Sequence, residues 1–397
     1  MRLALFSDNF YPELSGISDS LIALAKQLAK HGHQVQFYVP RYSRKDYQTT
    51  RAPYRELDLG PNVGFTRYAG ISVKTGSGNA RGVLPTGFRW LDVRKFNPDV
   101  IHTQTFYGLG FEALLASRIL RKPLVGTNHT ATKEFLRYNP VRAAWADNLV
   151  LQYVNWYYGK CLIVTAPSRS VFKEMEEEGF HKNGISLSNP IETGIFRPIG
   201  DKAALLKKWG IGAQAIIHAG RLANERSIDV MIRALPLVQK AVPKAELVFA
   251  GRGADELEMR ALAKSLGVAD AVKFLGFIDQ AHLVEVMNAG KVFAITSTAD
   301  TQSMVMMQAM ASGVPVVGVN ARALPEYIDP TNGFVVEPGN PEALAAKIIL
   351  ILKNPALQKK LGAGGRATAL KFSPPEIAKR WESIYRQAIE KHGGRGA

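Results

Sequence analysis

The sequence predicts an α/β protein made of two doubly wound domains, and three observations support this fold class. Short apolar runs bounded by turn residues alternate with helical patterns along the whole chain. The apolar runs are continuous in Val, Ile and Phe, as expected for parallel strands that are covered on both faces. The alternation stops once, near residues 188–201, and then restarts. A length of 397 residues is sufficient for two hydrophobic cores.

The first half contains an amphipathic helix and several candidate strands. Leu21, Leu24, Ala25 and Leu28 form one apolar stripe, and Gly32 is a natural stop at the end of that helix. The strand candidates are LALFS, VQFYV, DVIHT, PLVGTN, LIVTAPS and GISLS. The second half repeats this rhythm with AIIHAG, AELVFAG, AVKFLGF, KVFAITS, VPVVGV and GFVVEP, each followed by a helical pattern. We therefore expect one parallel sheet in each half.

The join between the halves predicts the domain boundaries. Residues 188–201 are rich in proline and glycine. Ser373 and Pro374 are suited to begin a last helix, as its N-cap and its first residue. The predicted segments are a first domain at 1–190, a linker at 191–200, a second domain at 201–373 and, at 374–397, a C-terminal helix with a frayed Gly-rich tail. We expect the ligand crevice between the domains, at the carboxyl ends of the strands.

Composition narrows the class of protein. Cys161 is the single cysteine, which excludes a disulfide framework and a thiolate metal cluster and fits a reducing cytoplasm. The apolar run at the N-terminus is too short for a signal peptide, and no stretch approaches the apolar length of a membrane-spanning helix. We expect a cytoplasmic protein that is soluble or lies peripherally on a membrane.

A net charge of +16 indicates an acidic partner, which could be nucleic acid, anionic lipid or a phosphorylated substrate. Basic residues cluster at 41–51 and at 81–95, and the second cluster is interleaved with Phe88, Trp90 and Phe96. This mixture favours an anionic membrane surface, where each basic residue contributes roughly 1 kcal/mol. The alternative is a solvated face that keeps the protein soluble. We expect no nucleic-acid partner, because the aromatic residues form no stacking platform.

The segment Ser297 to Val317 predicts a short helix with a polar beginning. Ser303 is suited to cap it, and Gly313 should end it near Ala311. The amides at its N-terminus form an anion site, with Asp300 just before them. Met304 and Gln308 share one face, which places the Gln308 amide near a ribose attached to a phosphate at the helix end. The alternative is a Met-lined core helix that tolerates one glutamine.

Two arginines follow the first strand of the second half. Arg221 and Arg226 are five residues apart, and their planar forks match the oxygens of a diphosphate. The alternative is a pair of surface arginines that form ion pairs with Glu225 and Asp229. That alternative is more credible for Arg226 than for Arg221.

The motifs together resemble the retaining glycosyltransferases of family 4, which have the GT-B fold. The stretches that carry the resemblance include FSDNFYPELSGIS, PDVIHTQTFYGLG, PLVGTNHT, TAPSRSV, NPIETGIFRP, GRLANERSIDVMIRAL, LVFAGRGADE, VKFLGF and QAMASGVPVV. The resemblance implies two Rossmann-like domains that face a central cleft and a C-terminal helix that crosses back to the first domain. It also implies that the second domain mainly holds a nucleotide-sugar donor, that the first mainly holds the acceptor, and that no metal is required.

The resemblance also assigns roles to residues of the first domain and of the base pocket. Gly16 would bring its backbone to the donor diphosphate, although Ser15 replaces the first glycine of the usual pair. His129 would lie close to the transferred sugar, where a neutral imidazole can hydrogen-bond a hydroxyl or stabilise developing charge. The alternative is that His129 caps the following helix. Phe277 lies where the family's nucleotide base is bound.

In the second domain the chain departs from the family pattern. Arg221 matches the phosphate-clamping arginine, and Arg226 stands where the family has lysine. Asp300 and Gln308 replace a pair of glutamates, of which the first contacts the donor sugar and the second the ribose. Donor contacts are also implied for Gln302, Ser303 and Met304. Gln302 and Ser303 replace a usual Phe-Gly, and Thr301-Gln302 resembles the branch that glycosylates diacylglycerol-type lipids.

The expected function is retaining transfer of a hexose from a UDP- or GDP-linked sugar to a lipid, lipid-linked or glycan acceptor at the cytoplasmic membrane face. No cofactor beyond the donor is expected, and the predicted catalytic residues are His129, Arg221, Arg226 and Asp300. The chain offers no carboxylate pair for a glycosidase. A dehydrogenase is excluded because residues 251–256 lack the third glycine of G-x-G-x-x-G. The remaining alternative is a non-catalytic protein that binds nucleotide-sugar or lipid, since both family glutamates are replaced.

Overall fold

In the computed structural model the chain divides into two compact units. The first comprises Met1–Pro190 and the chain from Pro374 onward, and the second comprises Ile191–Ser373. The structure describes residues 1–13, 15–50, 52–75, 78–130, 132, 136, 143–182 and 184–394. Of the predicted features, the last residue of the first basic cluster, Arg51, and the tail residues 395–397 lie outside this part of the chain. None of the described helices is both long and apolar enough to cross a membrane.

The first unit is built on a parallel sheet of seven strands. They are β1 (Arg2–Phe6), β2 (Gln34–Pro40), β3 (Val63–Tyr68), β6 (Val100–Thr103), β7 (Leu124–Thr127), β8 (Ile163–Ala166) and β9 (Ile185–Ser186), and β4 (Ile71–Thr75) and β5 (Gly78–Gly82) form a separate antiparallel pair. The strand order is β3-β2-β1-β6-β7-β8-β9. The predicted strands of this half are confirmed. Strands β3, β4 and β5 were not predicted from the sequence. Strand β3 is partly exposed along its whole length, so its residues lack a continuous apolar run.

Helices cover this sheet, and the C-terminal helix is one of them. The others are α1 (Gly16–Lys30), α2 (Arg44–Thr49), α3 (Trp90–Phe96), α4 (Gly108–Leu120), α5 (Ala144–Gly159) and α6 (Arg169–Glu177). The predicted apolar stripe of α1 is buried, and Gly32 adopts a φ of +81° just beyond its end. The C-terminal helix, Pro374–Gly393, packs against α1, β6 and β7 through Trp381 and Tyr385 among its buried residues. The chain thus returns to the first unit, as the resemblance implied.

The second unit repeats the doubly wound arrangement. Its parallel strands are β10 (Gln214–Ala219), β11 (Ala245–Ala250), β12 (Val272–Gly276), β13 (Val292–Ile295), β14 (Val316–Val319) and β15 (Gly333–Val336), in the order β12-β11-β10-β13-β14-β15. All six were predicted from the sequence. The helices are α7 (Lys202–Trp209), α8 (Ile228–Ala241), α9 (Glu256–Ser265), α10 (Gln280–Ala289), α11 (Met304–Ala311), α12 (Leu324–Tyr327), α13 (Pro341–Lys353) and α14 (Pro355–Leu370). The strand order reverses between β10 and β13, which is the switch point where ligands bind in such sheets.

The segment predicted as a linker, 191–200, is instead part of the second unit. Phe196 is fully buried in the core of that unit. The Arg366 guanidinium donates hydrogen bonds to the carbonyl oxygens of Thr193, Phe196 and Ala311, at 3.0, 2.7 and 2.8 Å. Proline and glycine in this segment therefore lie in a turn that packs on the second unit.

Replacing Arg366 by alanine should destabilise the second unit. Three carbonyl oxygens lose their donor, and because an unsatisfied buried acceptor costs about 1–3 kcal/mol, we expect the free energy of unfolding to fall by about 2–4 kcal/mol. Urea denaturation followed by tryptophan fluorescence measures this change. Arg233→Ala is the control, since Arg233 is half-exposed and forms only an i,i+4 pair with Asp229. Equal stability of the two variants would contradict the structural role of Arg366.

Candidate functional site

The residues singled out in the second half gather at one edge of the second sheet. Arg221 and Arg226 follow β10, whereas Asp300 and Ser303 follow β13. Because β10 and β13 are adjacent and parallel, their carboxyl ends lie side by side at the switch point. The sequence separation of the two groups is large, yet the sheet brings them together.

Arg226 and Asp300 form an ion pair at this edge. Arg226 Nη1 donates to Asp300 Oδ2 and, at 3.3 Å, to the hydroxyl of Ser297. The side chains are only 21 % and 9 % exposed. The nearby carboxylate of Asp300 is the main reason that the pKa of Arg226 lies above its ordinary value, against the opposing effect of burial. The pair therefore carries a fixed cation and holds the Asp300 carboxylate in place.

Arg221 has a different environment from Arg226. Its side chain is 40 % exposed, and its Nη2 lies 3.0 Å from Oε1 of Glu225. The prediction that a surface ion pair suits Arg226 better than Arg221 is thus wrong: Arg221 is the more exposed arginine and pairs with Glu225, whereas Asp229 pairs with Arg233. A half-exposed guanidinium at a strand end is nevertheless accessible to a phosphate.

Gly251 and Gly253, which were compared above with a dinucleotide-binding motif, have a packing role. The loop after β11 crosses the loop after β10, and Leu222 N donates to Arg252 O at 3.0 Å. A Cβ at Gly251 would lie 1.8 Å from Gly220 O, and a Cβ at Gly253 would lie 1.8 Å from Leu222 O. Only glycine permits this approach of two backbones. The exclusion of a nicotinamide fingerprint is consistent with this explanation.

Helix α11 begins at the predicted position, but the predicted capping bond does not form. Ser303 occupies the N-cap with a left-handed φ of +53°, and its hydroxyl forms no capping bond, so the predicted cap is wrong. The first intrahelical bond runs from Met307 N to Ser303 O, which leaves the preceding amides of the helix without intrahelical partners. A left-handed residue here explains why the resembling family has glycine at this position.

Besides Glu225 Oε1, which lies in the ion pair with Arg221, four buried polar atoms near this edge have no hydrogen-bond partner within the described residues. They are His218 Nε2, Arg226 Nε, Ser303 Oγ and Gln308 Oε1. Each atom of this kind costs about 1–3 kcal/mol if it stays unsatisfied, so it bonds to water or to a polar ligand, and several in one region make this edge a candidate ligand site. Among them are two acceptors, one donor and one hydroxyl that can do either, which suits a ligand with both hydroxyl and anionic groups.

His218 is a buried residue of the site for which the sequence predicted no role. It lies on β10, and its Nδ1 donates to Ala294 O at 3.0 Å, so its unpartnered Nε2 is an acceptor. Burial lowers the pKa of His218 to about 4, which keeps the ring neutral. The signal that could have revealed it is a histidine in an apolar strand immediately before Gly220-Arg221.

The remaining donor-contact candidates of the second unit differ in burial. Gln302 is 2 % exposed, and Gln308 is 5 % exposed. Met304 is partly buried and packs against the core of the unit, as in the alternative of a Met-lined core helix. Phe277 is partly buried in the loop after β12, directly beyond Gly276, which has a φ of +70°. The described residues contain no group of three or more His, Cys, Asp or Glu that could hold a metal ion.

In the first unit, Gly16 and His129 each follow a strand of the sheet. Gly16 is the exposed first residue of α1, and Ser15 caps this helix by accepting from Ser18 N at 3.2 Å. His129 follows β7, and its Nε2 lies 2.7 Å from Gln104 Oε1. Burial lowers the pKa of His129 to about 4. The alternative in which His129 caps the next helix concerns residues outside the described part of the chain.

Asn128 is a second residue of this region that the sequence analysis missed. Its side-chain oxygen accepts from Thr130 N at 3.0 Å. Its Nδ2 is buried and has no partner among the described residues. An unpartnered donor beside His129 suits contact with a hydroxyl oxygen.

Two family models match the chain and together span most of it. "Glycosyltransferase Family 4" matches residues 14–193, and "Glycosyl transferases group 1" matches residues 201–368. The chain belongs to the family 4 glycosyltransferases and has the GT-B fold.

Relatives of this chain include glycolipid synthases. Alpha-monoglucosyldiacylglycerol synthase of Acholeplasma laidlawii is 23 % identical over 99 % of this chain and 98 % of the relative. The protein of that name from Streptococcus pneumoniae is 27 % identical over 80 % of this chain and 70 % of the relative. Among solved structures, Anabaena Alr3699/HepE in complex with UDP-glucose superposes with a TM-score of 0.73, at 19 % identity and over 98 % of this chain and 100 % of that one.

Removing Asp300 should destabilise the second unit, because the largely buried Arg226 loses its counter-charge. We expect Asp300→Ala to lower the free energy of unfolding by about 2–3 kcal/mol, less than the full cost for a deeply buried pair because Arg226 retains some solvent contact. The double variant Arg226→Met/Asp300→Ala should recover part of this loss. Urea denaturation measures both.

The matched control is Arg221→Ala, which breaks a half-exposed pair and should cost about 0–1 kcal/mol. If Asp300→Ala were no more harmful than Arg221→Ala, the two arginines would not differ as the structure indicates.

Proposed function

We propose that the protein is a retaining hexosyltransferase that uses a UDP- or GDP-linked sugar and a lipid, lipid-linked or glycan acceptor at the cytoplasmic face of a membrane. Membership of family 4 establishes the class of enzyme. The observation that carries the donor site is the set of unpartnered buried polar atoms beside the Arg226–Asp300 pair. The solved structures of Anabaena Alr3699/HepE with UDP and with UDP-glucose support a donor of this kind.

The donor diphosphate is proposed to bind the arginine loop and the first amides of α11. Breaking the bond between sugar and phosphate places negative charge on the leaving diphosphate. Arg221 supplies an accessible guanidinium, Arg226 retains an unpartnered Nε, and the helix amides add partial positive charge. Groups fixed in place before the reaction stabilise this charge most strongly in the transition state. We propose that these groups supply the charge stabilisation without a metal ion.

The sugar and the ribose are proposed to contact the two residues that replace the family glutamates. Asp300 is held through Oδ2 by Arg226, so its other carboxylate oxygen can accept from a sugar hydroxyl. Gln308 has an unpartnered Oε1 that can accept from a ribose hydroxyl. Its amide provides hydrogen bonding without the charge of a glutamate. The replacements therefore preserve the contacts that a donor needs.

The lipid acceptor is proposed from the relatives and from one surface of the first unit. This surface comprises Leu84, Phe88 and Leu91, which are 65 %, 70 % and 43 % exposed, with the exposed Arg94 and Lys95 on α3 beside Leu91. Leu91, Arg94 and Lys95 share one helix face, since they are three and four residues apart. Apolar side chains flanked by basic ones suit the headgroup region of an anionic bilayer.

The loop that contains Phe88 is hydrogen-bonded to a buried carboxylate. Glu112, which is fully buried in α4, accepts from Gly87 N at 2.9 Å and from the hydroxyl of Thr86 at 3.1 Å. Not every basic residue of the second cluster is free for a membrane: Arg81 pairs with Asp46 at 2.6 Å. The exposed position of Phe88 is therefore fixed by the fold.

The alternative is a non-catalytic protein that binds nucleotide-sugar or lipid. The observation in its favour is the loss of both family glutamates at Asp300 and Gln308. Turnover distinguishes it from the proposed transferase, because both would bind a donor.

A panel of UDP-, GDP- and ADP-sugars tests the function, with nucleotide release and transfer to lipid extracts as readouts. We expect turnover with a UDP- or GDP-sugar and a loss of at least 100-fold in Arg221→Ala with unchanged thermal stability, because the accessible phosphate contact is removed. Arg233→Ala is the control, and it should retain native turnover. Binding without turnover in the native protein would favour the alternative, and full activity of Arg221→Ala would remove this residue from the mechanism.

Vesicle binding tests the membrane surface separately. We expect Phe88→Ser/Leu91→Ser to reduce binding to phosphatidylglycerol vesicles at least tenfold, since two exposed apolar side chains are lost. Leu257→Ser is the matched control, because Leu257 is 80 % exposed on the second unit. Co-sedimentation measures both variants. A similar small loss in the two variants would contradict a membrane contact at Phe88.

A further inference from the structure

A hydrogen-bonded network of polar side chains connects His129 with the C-terminal helix inside the first unit. His129 Nε2 lies 2.7 Å from Gln104 Oε1, and Gln104 Nε2 lies 2.9 Å from His102 Nε2. His102 Nδ1 lies 2.9 Å from the hydroxyl of Tyr385. Gln104, His102 and Tyr385 are at most 3 % exposed. The network is therefore isolated from solvent along most of its length.

The orientation of the Gln104 amide determines where the protons lie. In this orientation Oε1 of Gln104 faces His129 and can only accept, so His129 Nε2 carries a hydrogen. The amide nitrogen of Gln104 donates, so His102 Nε2 must be bare. A neutral His102 then has its hydrogen on Nδ1 and donates it to the Tyr385 oxygen. One glutamine side chain thus fixes both histidines in opposite tautomers.

Neighbouring groups support this arrangement. The hydroxyl of Thr127 lies 2.7 Å from His102 Nε2 and 2.7 Å from the hydroxyl of Thr165, so the two hydroxyls can donate in sequence toward the bare nitrogen. His102 also packs on Trp381, with 4.5 Å between the ring centroids. Burial lowers the pKa of His102 to about 3 and that of His129 to about 4, which leaves both rings neutral near pH 7.

We propose that Gln104 and His102 are positioning residues that hold His129 as the neutral tautomer protonated at Nε2. In this tautomer His129 Nδ1 carries a lone pair, so the imidazole is a neutral hydrogen-bond acceptor, which is the form suited to the sugar contact that the family resemblance implies for His129. The tautomer is a property of the first unit alone, whereas its effect on transfer rests on the proposed function. Reversing the tautomer of His129 requires the polarity of every bond as far as Tyr385 to reverse as well. A buried network of this kind acts as one unit.

Nitrogen NMR of protein labelled with ¹⁵N-histidine reads the tautomers directly. The chain has 8 histidines, and His102→Phe and His129→Ala assign the two signals of interest. We expect His129 to be protonated at Nε2 and His102 at Nδ1. In Gln104→Glu both carboxylate oxygens accept, so His129 should keep its tautomer and His102 should change to Nε2-protonated. A native His129 protonated at Nδ1 overturns the proposal, whatever the protein catalyses.

Kinetics with UDP-glucose as donor and diacylglycerol vesicles as acceptor tests the consequence for transfer. We expect Gln104→Met to lower kcat at least tenfold and to change the donor KM less than threefold, and Gln104→Glu to restore most of kcat. In a His129→Ala background, Gln104→Met should change kcat less than twofold. Equal effects of Gln104→Met in both backgrounds overturn the positioning role.

The control is Tyr157→Phe. It removes a buried hydroxyl that donates to Gly110 O at 2.7 Å and lies outside this network. It should leave kcat and both tautomers unchanged. An inactive native protein with the expected tautomers would refute the proposed function and leave the tautomer assignment supported. An active native protein with the opposite tautomer would refute the inference alone.

Discussion

The ion pair between Arg226 and Asp300 is the interaction on which the candidate site depends. It joins the loop that follows β10 to the loop that follows β13, on either side of the reversal in strand order. Thr296 adds a hydrogen bond between the same loops by donating to Arg226 O at 2.9 Å. A guanidinium and a carboxylate that are largely withdrawn from water stay together, because either one alone would be an unpaired charge. The edge of the sheet is therefore shaped before a ligand binds.

Two departures from the family pattern meet in this pair. The resemblance places lysine at the position of Arg226 and glutamate at the position of Asp300. The aspartate is shorter by one methylene, and the arginine presents a wider planar fork than an ammonium group. The larger cation reaches the shorter acid and still has Nε available. The two substituted residues thus form a charged contact between the two loops.

Buried polar groups are arranged in two ways in this protein. Atoms of His218, Ser303 and Gln308 in the second unit have no partner among the described residues and are available to a ligand, as is Asn128 Nδ2 in the first unit. The side chains from Gln104 to Tyr385 in the first unit instead hydrogen-bond to one another, and this network orients the His129 ring. The C-terminal helix contributes to the second arrangement, so its return to the first unit has a consequence beyond packing.

Local sequence patterns were enough to predict the strands with continuous apolar runs, the buried stripe of α1 and the end of α11 near Gly313, because periodicity and turn residues act over a few positions. The sequence also indicated the family and identified Arg221 and Asp300 as candidate site residues. The antiparallel pair β4 and β5 gave no such signal. Tertiary structure alone decided that Arg226 pairs with a residue 74 positions away and that His102 meets one 283 positions away. Those contacts depend on how distant segments pack, and no local pattern records them.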